Sequence, residues 1–187
     1  LGCVPTPHQR PPSGAMVYST YVGGNWDDYP RALVVDGAGD AVIAGFTNSN
    51  DFPTTPGVVK QTRAPVFPDG ADGFIAKLNS SGTGLVFGTY LGTNSGTDEI
   101  FGMAIDGTGQ LTVTGWTLSP GFPTTAGAWD RTFDYEREGF VTRLNANATG
   151  YVWSTFLSGA ANDEPLSVAV DASCAADGTG RTLSTDF

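Results

Sequence analysis

Short apolar runs alternate with turn residues along most of the chain. Residues 32–36 and 41–47 are rich in β-branched side chains, and the Gly-rich sequence 36–40 that joins them is typical of a β-hairpin turn. In residues 73–79 the apolar Phe74, Ala76 and Leu78 alternate with Ile75, Lys77 and Asn79, which predicts a strand with one face more buried than the other. No segment shows a helical apolar period of useful length. The pattern therefore predicts an all-β fold.

The same strings return in the same order along the chain. Tyr21 is followed by Tyr90 after 69 residues, and Tyr90 by Phe156 after 66 residues. The matching strings are 17–23, 86–92 and 152–158; 32–36, 103–106 and 167–171; 51–55 and 121–125; 73–79 and 139–145. A fixed period of this length is typical of repeat architectures. Each unit is predicted to contain four antiparallel strands, A to D.

Four-stranded repeats of this kind predict β-propeller blades. One such sheet cannot bury both of its apolar faces, so neighbouring sheets must stack, and radial stacking of four-stranded sheets is a propeller. The predicted strand order is D, ABCD, ABCD, AB, which gives two full blades, partial flanking blades and an incomplete or open ring. The predicted segments are a Pro-rich tail (1–16) and a repeat region (17–187) with units 17–84, 85–150 and a truncated 151–187, with long B-to-C excursions at 48–72 and 118–138.

Three details of the layout follow from this strand order. The A strands are expected to be the most buried, with Val34, Ile105 and Val168 in the core. The B-to-C excursions and the D-to-A connections are expected to share one end of the blades, and the short hairpins the other end. Asp177 and Gly178 should weaken the last B strand, because both residue types are depleted in strands.

The string YSTYVGGNWDDYPRALVVDGAGDAVIAGFTNSNDFPTTPG closely resembles the bacterial SBBP repeats, the "seven-bladed beta propeller" family. The similarity extends over residues 17–171, and the phasing also resembles that of NHL propellers. The resemblance implies a secreted or surface-attached bacterial protein, usually with more repeats than this chain has. It implies no catalytic residues, since the family has no established active-site motif.

The charge of the chain excludes two classes of partner. Nine basic and nineteen acidic residues give a net charge of −10, which would repel a phosphate backbone or an anionic membrane surface. No stretch approaches the roughly 18–20 apolar residues of a membrane span. Nucleic acid binding and a membrane span are therefore not expected.

The two cysteines suggest different chemistries. Leu1-Gly2-Cys3 resembles the end of a bacterial lipoprotein signal, in which the cysteine is acylated, so Cys3 is a candidate lipidation site at the start of a Pro-stiffened tether. Cys3 could instead pair with Cys174, or both could be unrelated thiols.

Acidic pairs recur at one repeat position, in the D-to-A connection. They are Asp27-Asp28, Asp98-Glu99 and Asp163-Glu164. Their carboxylates are candidate calcium ligands, although a calcium site needs about six to eight oxygens. The alternative is that each aspartate accepts hydrogen bonds from its own loop, and repetition in every blade favours this structural role. No other cofactor is predicted.

The repeated Phe-Pro-Thr-Thr string offers a second candidate site. Its aromatics and their neighbours could form a binding face: Phe52, Phe122, Trp129, Phe133 and Tyr135. The alternative, which we favour, is that each phenylalanine anchors a long excursion onto its own sheet. Trp26, Trp116 and Trp153 are expected to pack between blades.

No residue cluster predicts an enzyme. The only histidine, His8, lies in the Pro-rich tail, so Ser-His-Asp or Cys-His chemistry lacks a base in the folded part. The sequence therefore favours a non-enzymatic, extracytoplasmic propeller module with a structural or protein-interaction role, completed by a protein partner or by further blades. A carbohydrate-binding surface and a hydrolase or lyase on a propeller scaffold are the alternatives.

Overall fold

The computed structural model describes residues 16–63, 70–134 and 137–187, and these residues contain strands and no helix. The first blade consists of β1 (Asp28–Val35), β2 (Ala41–Thr47), β3 (Asp72–Leu78) and β4 (Leu85–Leu91). The second blade consists of β5 (Asp98–Ile105), β6 (Leu111–Thr117), β7 (Glu138–Leu144) and β8 (Tyr151–Phe156). A third sheet contains β9 (Asp163–Val170) and β10 (Ala176–Thr182). The predicted all-β architecture is confirmed.

Each blade is an antiparallel meander in which neighbours in sequence are neighbours in the sheet. The A-to-B hairpin of the first blade is closed by Asp36, whose Oδ1 accepts the N–H groups of Ala38 (2.8 Å) and Asp40 (3.0 Å). Aspartate favours such turns because its short side chain can bond to the backbone two residues further on. The same turn recurs at Asp106 and Asp171.

The predicted lone D strand at 17–22 is not a strand in the structure. The segment nevertheless lies against the first blade, where Val22 packs on the cluster around Phe74 and the Tyr18 ring lies beside Gly82. In the sheet ladder a D strand pairs with strand C of its own blade, and no described residue supplies a strand C for this segment. Among the described residues the segment therefore has no ladder partner.

The blades stack through one continuous apolar core. We call the side of a blade that faces the next sheet in the chain its following face, and the opposite side its preceding face. The following face of the first blade, with Val42 and Ile75, packs on the preceding face of the second, with Phe140, Leu144 and Phe156. The second blade in turn packs against β9. The corresponding preceding face of the first blade, around Phe74 and Tyr90, forms a separate cluster.

The expectation that the A strands are the most buried is wrong. Val168 is buried, whereas Val34 and Ile105 are half-buried, and Leu33 and Val35 are exposed. The most buried strands are the central pairs β2–β3 and β6–β7. The reason is that strand A is an edge strand, with a neighbouring strand on one side only.

Every A strand carries a β-bulge at the same place, which the sequence pattern did not reveal. The register shifts leave Arg31 in β1, Phe101 in β5 and Leu166 in β9 without a directly paired residue. Strand B has a glycine at the matching position of each sheet: Gly45, Gly115 and Gly180. A methyl group on any of these glycines would overlap the backbone of the bulged strand. Glycine is required there because the two backbones approach closely.

The two excursions run beside strand D of their own blades. In the first blade, the Thr55 N–H donates to the Gly88 carbonyl at 3.0 Å and the Tyr90 N–H to the Lys60 carbonyl at 3.0 Å. The second excursion makes equivalent bonds through Thr125 and Asp130. Strand D thus satisfies backbone groups in the described parts of both excursions and holds these parts against the blade.

The predicted layout of the two ends is confirmed. The Asn25 N–H donates to Asp51 Oδ1 at 2.9 Å, so the D-to-A connection and the excursion meet at one end. At the other end, the Ser80 N–H donates to Asp40 Oδ1 at 2.9 Å, which joins the two short hairpins.

Candidate functional site

The most elaborate polar cluster surrounds the aspartate that begins each A strand. Asp98 is buried, and its Oδ1 accepts the Thr117 hydroxyl of strand B. Its Oδ2 accepts the Thr93 N–H at 2.9 Å and the Ser119 hydroxyl at 3.2 Å. Burial raises the pKa of Asp98 to about 6, against the hydrogen bonds from Thr117 and Thr93, which lower it.

Asp28 and Asp163 occupy the same position in the other sheets. Asp28 accepts the Thr47 hydroxyl and the Gly24 N–H, the latter at 2.8 Å. Asp163 accepts the Gly159 N–H at 2.7 Å through Oδ2, but its buried Oδ1 has no hydrogen-bond partner. In the two blades the aspartate ties the D-to-A connection to strand B, which supports the structural interpretation of Asp28 and Asp98.

The other member of each acidic pair, Asp27, Glu99 or Glu164, is more accessible than the aspartate that begins the strand. Burial raises the pKa of Glu99, which the charges of Arg31 and Arg137 oppose. Glu164 forms a salt bridge with Arg137. Asp27 is exposed, and the Tyr29 hydroxyl lies 3.4 Å from its Oδ2.

Calcium binding by the acidic pairs stays a prediction. The described part of the chain contains no group of three or more His, Cys, Asp or Glu side chains that could hold a metal ion. Asp28, Asp98 and Asp163 begin strands of three different sheets, so the structure distributes them over separate sites.

Phe52 and Phe122 are anchors of the excursions. Their exposed fractions are 3% and 4%, so neither ring is available at the surface. Phe52 lies 4.4 Å from Phe74 between ring centroids, and Phe122 lies 4.4 Å from Phe140. The anchoring interpretation of the Phe-Pro-Thr-Thr string is confirmed, and these two residues do not belong to a binding face.

The other aromatics predicted for a binding face do not form one group. Trp129 is 73% exposed, whereas Phe133 packs against the core. Tyr135 lies outside the described residues.

The expected inter-blade packing of the tryptophans fails for Trp26, which is 72% exposed in the D-to-A connection. Its neighbours in sequence, Asn25 and Asp27, are hydrophilic. Trp116 is buried, and the Arg137 guanidinium lies 4.1 Å from its ring centroid.

A buried ionic cluster in the first excursion escaped the sequence analysis. Asp72 is fully buried and forms salt bridges with Lys60 and, at 3.3 Å, with Arg63. Burial raises the pKa of Asp72, while both cations oppose this shift. At the matching position of the second blade, Glu138 instead accepts the Ser158 hydroxyl. The only sequence signal for this cluster is the spacing of Asp72 from Lys60 and Arg63. That spacing is informative only when the path of the excursion is known.

Two grooves expose apolar surface. One of about 400 Å³ lies on the preceding face of the first blade and is lined by residues that include Tyr21, Leu33 and Phe74. The other, of about 370 Å³, lies beside the third sheet between Leu157 and Phe187. We call these the first-blade groove and the third-sheet groove.

Cys174 is disulfide-bonded. Cys3, the other cysteine of the chain and the predicted lipidation site, lies outside the described residues, as do the rest of residues 1–15.

Within the described residues, no helix is long and apolar enough to cross a membrane. No curated protein matches the chain. Residues 17–53 match the family model described as SBBP, Beta-propeller repeat. The seven-blade count and the likeness to NHL propellers stay predictions. The chain therefore contains a repeat of the SBBP β-propeller family, at residues 17–53.

Proposed function

We propose that the chain is a non-enzymatic, extracytoplasmic β-propeller module with a structural or protein-interaction role. The observation that carries the proposal is the exposed preceding face of the first blade. Leu33 is 63% exposed and Tyr21 fully exposed there, and both line the first-blade groove. Exposed apolar patches of this kind mark interaction sites in soluble proteins.

The partner that fits this face is a further propeller blade. The second blade covers its own preceding face, around Phe140, with the following face of the first. The first blade has the equivalent aromatic, Phe74, on its preceding face. A partner that presents β-branched and aliphatic side chains, as Val42 and Ile75 do, would bury this surface in the same way.

The extracytoplasmic location rests on a separate observation. Cys174 is disulfide-bonded, and disulfides persist mainly in oxidising compartments. The acidic net charge of −10 is compatible with a soluble surface protein. The absence of a catalytic role rests on the polar clusters, whose aspartates are engaged by the fold itself.

Light scattering and a hydrophobic dye test the interaction role on the purified full chain. We expect self-association or strong dye fluorescence, and we expect Leu33→Glu to reduce either signal. Val86→Glu is the matched control, since Val86 is also an exposed apolar strand residue, at 49%, but lies on β4. A stable monomer that binds no dye would contradict the proposal.

A carbohydrate-binding surface is the second candidate, favoured by the exposed Trp129. Aromatic rings that project from a loop can stack on sugar rings. A glycan array probed with the wild-type chain and with Trp129→Ala would test it. Binding that the substitution abolishes would support this candidate, and binding that it leaves unchanged would contradict it.

A further inference from the structure

The D-to-A connection before β1 carries two side chains that its counterparts lack. In all three sheets one residue of this connection accepts, through its carbonyl, the N–H of the residue that follows strand B: Asp27, Thr97 and Asn162. Trp26, which precedes Asp27, therefore corresponds to Gly96 and Ala161. The other two sheets form with a small residue at the first position and an uncharged one at the second. Neither the indole nor the carboxylate is required by the fold.

The backbone beneath the Trp26 ring is held in place by side chains. The Asn25 N–H donates to Asp51 Oδ1 and the Trp26 N–H to Ser49 Oγ, both at 2.9 Å. The Gly24 N–H is also engaged, by Asp28. The third sheet holds its connection in the same way, since the Ala160 and Ala161 N–H groups donate to Asp186 and Ser184. The first connection is thus a preorganised mount, and little backbone entropy is lost when its side chains bind a partner.

The side chains on this mount are accessible. Trp26 is 72% exposed and Tyr29 43%, and Asp27 is exposed between them. A preceding blade does not cover this part of a repeat. The corresponding connection of the second blade has the first blade before it, and its Ser95 is exposed as well. Tryptophan contributes much contact area with few rotatable bonds, which is why it is enriched where binding energy concentrates.

The charged groups beside the indole are carboxylates. Asp27 is approached by the Tyr29 hydroxyl, at 3.4 Å from Oδ2, and its Oδ1 has no hydrogen-bond partner among the described residues. Asp51 uses Oδ1 for the Asn25 N–H, while its Oδ2 makes no hydrogen bond to a described residue. The loop N–H groups that could bind an anion are already engaged by Asp28, Asp51 and Ser49. The connection therefore offers acceptors, and its ligand must donate.

A cationic donor fits both the ring and the carboxylates. The face of an indole attracts an ammonium or guanidinium group, and carboxylates form charge-assisted hydrogen bonds with the same groups. The net charge of −10 favours the approach of a basic partner and disfavours an acidic one.

We propose that the Trp26-Asp27 connection binds a lysine or arginine side chain of a partner protein, with the cation over the indole and paired to Asp27. Neither residue lines the first-blade groove, so this is a second surface. The inference rests on the proposed protein-interaction role and names the chemistry of the partner at this surface.

A fluorescein-labelled peptide of repeated Arg-Gly-Ser units is a suitable probe for the purified full chain. Fluorescence anisotropy is expected to show saturable binding at physiological ionic strength, where long-range attraction between exposed charges is largely screened. The same peptide with citrulline in place of arginine keeps the shape of the side chain and loses its charge. We expect no saturable binding of this control peptide.

Matched variants of the full chain locate the site. Trp26→Ala and Asp27→Asn should each weaken peptide binding by about two- to fivefold. Both introduce the residues that the third sheet already has, Ala161 and Asn162, so the fold is retained. Trp129→Ala removes an indole that is equally exposed, at 73%, and should leave binding unchanged. Asp177→Asn removes one negative charge at another exposed position and should also have no effect.

Four results would overturn the inference. They are the absence of saturable binding, equal losses for Trp26→Ala and Trp129→Ala, equal losses for Asp27→Asn and Asp177→Asn, and a glycan that is bound through Trp26 while the peptide is not. The third result would reduce the effect to net charge, and the fourth would assign the ring to a saccharide. Self-association or dye binding that Leu33→Glu reduces, without peptide binding, would leave the proposed function standing and refute this site alone.

Discussion

Alanine substitutions at the three anchor positions, Phe52, Phe122 and Phe187, should lower the free energy of unfolding by very different amounts. Phe52 and Phe122 are almost fully buried, at 3% and 4%, and Phe187 is 59% exposed. Truncating a buried phenylalanine removes its transfer free energy and leaves a cavity, which costs about 3–5 kcal/mol. We therefore expect Phe52→Ala and Phe122→Ala each to lower the free energy of unfolding by about 3–5 kcal/mol, and Phe187→Ala by under about 1 kcal/mol.

Urea denaturation measures these free energies, with the midpoint followed by tryptophan fluorescence. Two changes serve as controls in the second excursion. Trp129→Ala removes a larger side chain that is 73% exposed and should change stability by less than about 0.5 kcal/mol. Phe122→Leu keeps much of the buried volume and should cost about 1–1.5 kcal/mol, so it remains measurable if the alanine variant does not fold.

The anchoring argument would be wrong if Phe122→Ala cost less than about 1 kcal/mol. It would also be wrong if Phe187→Ala and Phe122→Ala lowered the free energy of unfolding equally. The larger loss is attributed to burial of the anchor ring against a strand-C phenylalanine. Phe122 has Phe140 as this partner, at 4.4 Å between centroids.

Two further predictions concern Asp98 and the bulge. Because burial raises the pKa of Asp98 from 3.8 to about 6, its protonation stabilises the folded state. The stability of the wild type relative to Asp98→Asn should therefore rise by up to ~3 kcal/mol between pH 7 and pH 4. Urea titrations at each pH would measure this difference in the free energy of unfolding. A difference that stays constant or falls between pH 7 and pH 4 would refute the raised pKa of Asp98. Gly115→Ala should cost about 1–3 kcal/mol, since its methyl group would overlap the Glu99 carbonyl. Gly121→Ala is its control, with ordinary contacts only, and equal melting temperatures for the two variants would show that the bulge is adaptable.

Apart from the lone D strand at 17–22, the repeat pattern was sufficient to predict the elements, their order and the two ends. Strand periodicity and turn residues are local signals, and four markers in register fixed which strands belong to one sheet. The predicted excursions at 48–72 and 118–138 agree with the interval from β2 to β3 and that from β6 to β7. Phe52 could also be assigned, because an aromatic residue at the start of a long loop needs a surface to pack on.

Features that depend on the distance between backbones could not be predicted. The bulge adds Arg31, Phe101 and Leu166 without interrupting the apolar pattern, so no local signal marks it. The exposure of strand A depends on whether another sheet covers its edge. The cluster of Asp72 with Lys60 and Arg63 depends on how the excursion folds back, which hydropathy does not encode.

Comparison of the repeats distinguishes residues that stabilise the blades from residues that are candidates for binding a ligand. Asp28, Asp98 and Asp163 recur in every sheet and are engaged by the same loop amides, so their carboxylates explain blade geometry. A ligand specific to this chain should be sought where the repeats diverge. The excursions diverge most, because the first buries Lys60 and Arg63 against Asp72 and the second exposes Trp129. The third repeat diverges in a different way, since Phe187 is exposed and the Asp163 Oδ1 has no hydrogen-bond partner among the described residues.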